Sequence, residues 1–162
     1  MTRLIITLML VTLPFGIDSV LAQDANVEEP ELASVLVTIQ NGRKDTIRAE
    51  IYFTKTEAAA FWPAYDAYVA DMQPVRDRRV KMIRRYLQAY NDGSVSEDFA
   101  IDLVDEDLAI KTEMLKIRKK HLDLIRKILP PFKAARFYQL ENKLDAEING
   151  QLARDLPLID PV

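Results

Sequence analysis

The chain has 162 residues, no cysteine, one histidine and a formal net charge of −3. Its length suits one domain with a modest core. The missing cysteines exclude a disulfide framework, a thiol nucleophile and a cysteine-ligated zinc site, and the acidic balance argues against nucleic acid as a partner.

The first segment, MTRLIITLMLVTLPFGIDSVLAQ, places Arg3 ahead of an apolar run from Leu4 to Leu13 and closes on Leu21-Ala22-Gln23. This is the layout of a cleavable secretory signal, and the run falls short of the roughly 20 apolar residues that a membrane span requires. Residues 1–23 are therefore read as a signal peptide, which implies a periplasmic protein with no stable membrane span after cleavage. Residues 24–31 read as a flexible acidic leader.

Residues 32–156 form the expected helical domain. Its opening stretch, SVLVTIQNGRKDTIRAEIYF, carries two patterns at once. Val35, Val37 and Ile39, then Ile47, Ala49, Ile51 and Phe53, alternate on either side of Asn41-Gly42 as in a β-hairpin. Leu32, Val35, Leu36, Ile39, Ile47 and Ile51 also share one helical face. The residue types lean to the hairpin and leave the helix open.

Thr54-Lys55-Thr56-Glu57 has capping-box spacing and opens a long predicted helix that ends at Asn91-Asp92-Gly93. At 3.6 residues per turn its stripe runs Phe61, Tyr65, Tyr68, Met72, Val75, Arg79, Ile83, Tyr86, Tyr90, and Arg79 is the only charged member. Pro63 and Pro74 lie inside this pattern. Eleven residues apart, they sit about 20° from one another around the axis, so two bends in nearly the same direction give a curved helix. The alternative is that Pro74 starts a second helix at its first position.

A second long helix is expected from about Ser96 to Leu129, capped by Ser94 or Ser96, acidic at its start and basic at its end. Pro130-Pro131 stops it and opens a third, from Phe132 to about Arg154, with Phe137, Leu140, Leu144, Ile148 and Leu152 on one face. Residues 157–162 form an extended tail. The fold expected is all-α: a long curved antiparallel helical hairpin with an N-terminal and a C-terminal helix.

Side-by-side packing across the short turn sets residue 85 opposite 101. Lys81, Arg84 and Arg85 then face Asp102 and Asp105, and Asp66 and Asp71 face Lys116, Lys119 and Lys120. The runs RDRRVKMIRR and KIRKKHLDLIRK are accordingly read as partners of acidic residues and not as nucleic-acid contacts.

The strings FTKTEAAAFWPAYDAY, LQAYNDGSVSEDFA and ILPPFKAARFYQLENKLDAEINGQLARDLPLI resemble a family of bacterial exported helical proteins, which is in turn similar to Spy/CpxP-type periplasmic proteins with LTxxQ motifs. FWPxYxxY and ARFYQLENKLDA are the most specific elements. The two LTxxQ positions read FTKTE at 53–57 and LPPFK at 129–133, without the glutamines. The resemblance implies a helix ahead of FTKTEAAAFWP, so the opening stretch is assigned as helix. It also implies a chaperone-like or envelope-stress role.

No catalytic constellation assembles: there is no Gly-rich phosphate loop and no serine in a G-x-S-x-G setting. His121 with Glu113 or Asp123 is a sparse metal set, and a helix-surface histidine is the simpler reading. The acidic run from Glu97 to Asp107 lacks calcium-loop spacing. No cofactor or metal is expected. The candidate partner-binding residues are Phe61, Trp62, Tyr65, Tyr68, Met72, Phe137 and Tyr138, which also serve as a core cluster at the start of the hairpin. The function expected is a non-enzymatic helical binding protein for client polypeptides or an envelope protein, forming a homodimer. A structural or signalling subunit with a buried dimer or envelope-protein interface is the alternative.

Overall fold

The computed structural model describes residues 42–159. The stretches read as signal peptide and acidic leader, the first half of the two-pattern segment and the last three residues lie outside them. Four helices follow in order: α1 over 42–50, α2 Lys55–Asn91, α3 Glu97–Ile128 and α4 Pro131–Asp155, with no strand among the described residues. The chain is all-α.

Helix α1 settles the two patterns for residues after Asn41. Arg43, Ile47 and Ile51 recur four apart and are buried, whereas Ala49, which an alternating strand would carry into the core beside Ile47 and Ile51, is exposed. The alternating strand over Ile47–Phe53 therefore does not form; the helical assignment holds as far as residue 50, and residues 51–54 are irregular. Arg136 of α4 ties down the end of α1, donating from Nε to the Glu50 carbonyl at 2.6 Å and from Nη2 to its carboxylate at 2.7 Å.

Thr54 caps α2 in a reciprocal box with Glu57: Glu57 N–H donates to the Thr54 hydroxyl at 3.2 Å, and Thr54 N–H donates to the Glu57 carboxylate at 2.8 Å. Pro63 and Pro74 both lie inside this single helix and are exposed, so Pro74 does not begin another. The residues whose carbonyls lose a partner, Ala59 and Ala70, are exposed too. Weakened hydrogen bonds along one solvent-facing side are the arrangement that lets a long helix bow around a core.

The turn after α2 requires Gly93. Its φ is +61°, and the Ser94 N–H donates to Ala89 while the Gly93 N–H donates to Tyr90, the paired bonds of a Schellman ending. Ser96 then caps α3. α2 and α3 pack as an antiparallel hairpin, and α4 returns against them.

The register across the hairpin departs from the zero-offset expectation. Arg85 pairs with Glu106 at 2.6 Å, and Asp71 pairs with Lys120 at 2.8 Å. The side chain opposite Arg85 is thus displaced by more than one turn from residue 101. Five residues, 92–96, separate the helices, and long Arg and Lys side chains reach a further turn along the axis. Lys81, Arg84, Asp102, Asp105, Lys116 and Lys119 form no ion pair among the described residues, and Asp66 pairs instead with Lys44 of α1 at 2.7 Å. Only the Asp71–Lys120 pairing stands as expected.

The core has two parts. One joins Ile47 and Ile51 to Phe61, Tyr65, Tyr68 and Met72 of α2, Ile125 and Leu129, and Phe137 and Leu140 of α4. The other, nearer the turn, joins Val75, Ile83 and Leu87 to Ile110, Ile148 and Leu152. On each long helix a polar stretch falls between them: Arg76 on α2, Arg118 and His121 on α3, Glu141 and Asp145 on α4.

Candidate functional site

That polar layer is an ion network closed by four helices. Arg43 donates to Glu141 at 3.0 Å and to Asp145 at 2.5 Å, Arg118 also pairs with Asp145, and Tyr68 donates its hydroxyl to Glu141 at 2.9 Å. Arg76 stands 3.9 Å from Glu141. Arg43, Arg76 and Glu141 are no more than 5% exposed, so these charges have exchanged water for one another.

The electrostatics follow from that burial. Burial presses the Arg43 guanidinium down, but Glu141 and Asp145 carry it above its ordinary value. Burial lowers Arg76, and the neighbouring Arg43 lowers it further. Asp145 is raised by burial and brought below the usual carboxylate range by Arg43 and Arg118. Burial raises the hydroxyls of Tyr65 and Tyr68, with Glu141 adding to both. Among the described residues, three buried polar atoms of the arginines, Arg43 Nε, Arg76 Nη2 and Arg118 Nε, have no hydrogen-bond acceptor, and Glu141 Oε1 has no donor.

Five of the seven residues expected to bind a partner are interior. Phe61, Tyr65, Tyr68, Met72 and Phe137 are buried, and their rings stack or meet edge to face, as Phe61 does with Phe137 at 5.6 Å between centroids. Trp62 is half-buried beneath Lys44 and Arg48, and Tyr138 is 41% exposed. The cluster forms core around the base of the hairpin. His121 is buried, not on the surface; its Nε2 lies 2.7 Å from Asp71, and Nδ1 has no hydrogen-bond partner among the described residues. No group of three metal-ligating side chains occurs among the described residues.

Apolar surface is offered elsewhere. On α3, Ile101, Val104, Leu108 and Leu115 are each more than half exposed and fall within about 60° of one another around the helix. Sharing Val104 and Leu108 with this stripe, α2, α3 and the end of α4 form a groove of about 460 Å³, lined chiefly by apolar side chains, with Arg79 and Asp107 at its polar edge. The start of the tail closes one side, where Tyr86 donates its hydroxyl to the Pro157 carbonyl at 2.6 Å. No helix among the described residues is long and apolar enough to cross a membrane.

Comparison of the chain with protein-family models, curated proteins and solved structures returned no match.

Sequence reasoning missed both the polar layer and the α3 stripe. The stripe had a signal, since Ile101, Val104, Leu108 and Leu115 recur at helical spacing on a helix whose other apolar positions already face α2. Arg79 was visible as the charge interrupting the α2 stripe. Arg43, Glu141 and Asp145 gave no local sign, because their partners lie on other helices, 98 and 102 residues apart for the two pairs of Arg43.

Proposed function

We propose that this chain is a non-enzymatic, exported polypeptide-binding protein, chaperone-like or envelope-stress-related, that engages partners through the exposed apolar stripe of α3. The observation that carries this reading is Ile101, Val104, Leu108 and Leu115, aligned on one face and more than half exposed. Contiguous apolar surface of this kind serves for association, and exposed charged neighbours such as Lys111 and Lys119 steer an approaching chain. The signal-like segment at 1–23 supports export to the periplasm. The buried acids and bases engage one another, which favours a scaffold role for them over catalysis.

The test is suppression of aggregation of a thermally unfolding model protein, without ATP, by the chain purified after export. Leu108→Ser with Leu115→Ser should weaken suppression several-fold while leaving the helical circular dichroism intact. Light scattering on the same samples reads the homodimer. A stable dimer that both substitutions dissociate, and that suppresses no aggregation, would overturn the client reading in favour of a structural subunit that buries this stripe against its own copy.

A further inference from the structure

Arg79 borders two spaces. It lines the apolar groove and also a cavity of about 20 Å³ shared with Arg43, Arg76 and Asp145, and Leu152 borders both. The small cavity has room for a single water-sized group. Three guanidiniums and one carboxylate line it, and that carboxylate is already held by Arg43 and Arg118. Arg79 donates to the neutral Asn149 Oδ1 at 2.8 Å and has no carboxylate within 4 Å among the described residues. The buried Arg76 Nη2, 3.9 Å from the Glu141 carboxylate, has no hydrogen-bond acceptor among the described residues. Buried cationic donors without an acceptor are costly, and an anionic oxygen placed among them relieves that cost.

The groove specifies the rest of the ligand. Its walls are mainly aliphatic, including Met82, Ile83, Leu103 and Leu108, and its volume lies in the range of small-ligand sites. Asp107, the acid at its edge, is engaged by Lys111 at 2.5 Å. A phosphate or sulfate would leave the apolar walls unused, and a peptide would bring amide groups against them. We propose that the groove binds a single-chain aliphatic carboxylate, a free fatty acid, with one carboxylate oxygen in the small cavity between Arg76 and Arg79 and the hydrocarbon chain along the groove. This goes beyond polypeptide binding at the α3 stripe and does not depend on it.

The experiment is calorimetric titration of the purified chain with dodecanoate and, separately, with dodecanol, both below their aggregation concentrations. Dodecanoate should bind saturably at one equivalent per chain, and dodecanol at least about tenfold more weakly, the margin expected for a charge-assisted hydrogen bond. Arg79→Met should remove that margin by weakening dodecanoate alone. Leu108→Asp, at an exposed position tolerant of change, should weaken both ligands. Leu115→Ser lies outside the groove, so it should alter suppression of aggregation and leave dodecanoate binding unchanged. Equal affinity for acid and alcohol, no binding of either, or dodecanoate binding indifferent to Arg79→Met in a folded variant would each overturn the proposal.

Discussion

Tyr68 and Glu141, 73 residues apart, meet at 2.9 Å where the phenol of α2 donates to the carboxylate Oε2 of α4, and the same oxygen accepts from Arg43 at 3.0 Å. One oxygen thus joins α1, α2 and α4 in a polar layer between the two apolar clusters, which Met114 and Ile117 bridge along α3. Glu141→Gln removes the charge that faces Arg43 and Arg76. It should lower stability by about 3–5 kcal/mol, the usual result of stripping one partner from a buried ion pair. Tyr68→Phe should lower it by about 1–3 kcal/mol, and the double variant by less than the sum, because both act on one oxygen. Urea midpoints measure all three. Strict additivity would count against a shared oxygen.

Asp145 links the layer to pH. Its carboxyl lies below the usual range when folded, so between that value and the unfolded value of about 3.9 the folded state binds fewer protons than the unfolded state. Its contribution is therefore complete above about pH 4 and is lost as pH falls through the folded value. Stability measured by urea from about pH 7 to about pH 3 should drop, and Asp145→Asn should be weaker near neutrality with a shallower acid decline. An unchanged acid slope in that variant would place the acid sensitivity elsewhere.

The long helices were legible because their signals are local: a capping box at Thr54, a Gly93 ending, a Ser96 cap and a double proline, each acting within a few residues. The aromatic stripe was legible as core for the same reason, since a 3.6-residue period belongs to one helix. Register could not be read in this way. Lys81 and Arg84 had acidic residues within plausible reach, but the offset between α2 and α3 depends on the length of the turn and on which layer the buried charges occupy. Arg76 shows the difficulty, being as basic in sequence as the exposed Arg78 and as buried as the core beside it.

The observed register makes its own prediction. Arg85→Glu and Glu106→Lys should each lower stability slightly, and the double reversal should recover part of the loss, with a coupling of about 0–1 kcal/mol that shrinks in high salt. The pair Arg84 and Asp102, treated likewise, should be additive. Coupling at Arg84–Asp102 without coupling at Arg85–Glu106 would return the hairpin to zero offset.

In α3 the first fully buried side chain is Ile110, and nothing from 97 to 109 is anchored to that degree. Backbone amides there should exchange with deuterium well ahead of those around His121 and Ile125, since that part of α3 carries no fully buried side chain of its own. Three of the four residues of the surface proposed for binding, Ile101, Val104 and Leu108, lie in this segment. Docking must therefore order this segment, and the free energy of that ordering subtracts from the affinity. Asp105→Ala, a change to a better helix former at an exposed position without an ion pair, should then slow exchange over 97–109 and tighten the binding of a partner that residue 105 need not touch.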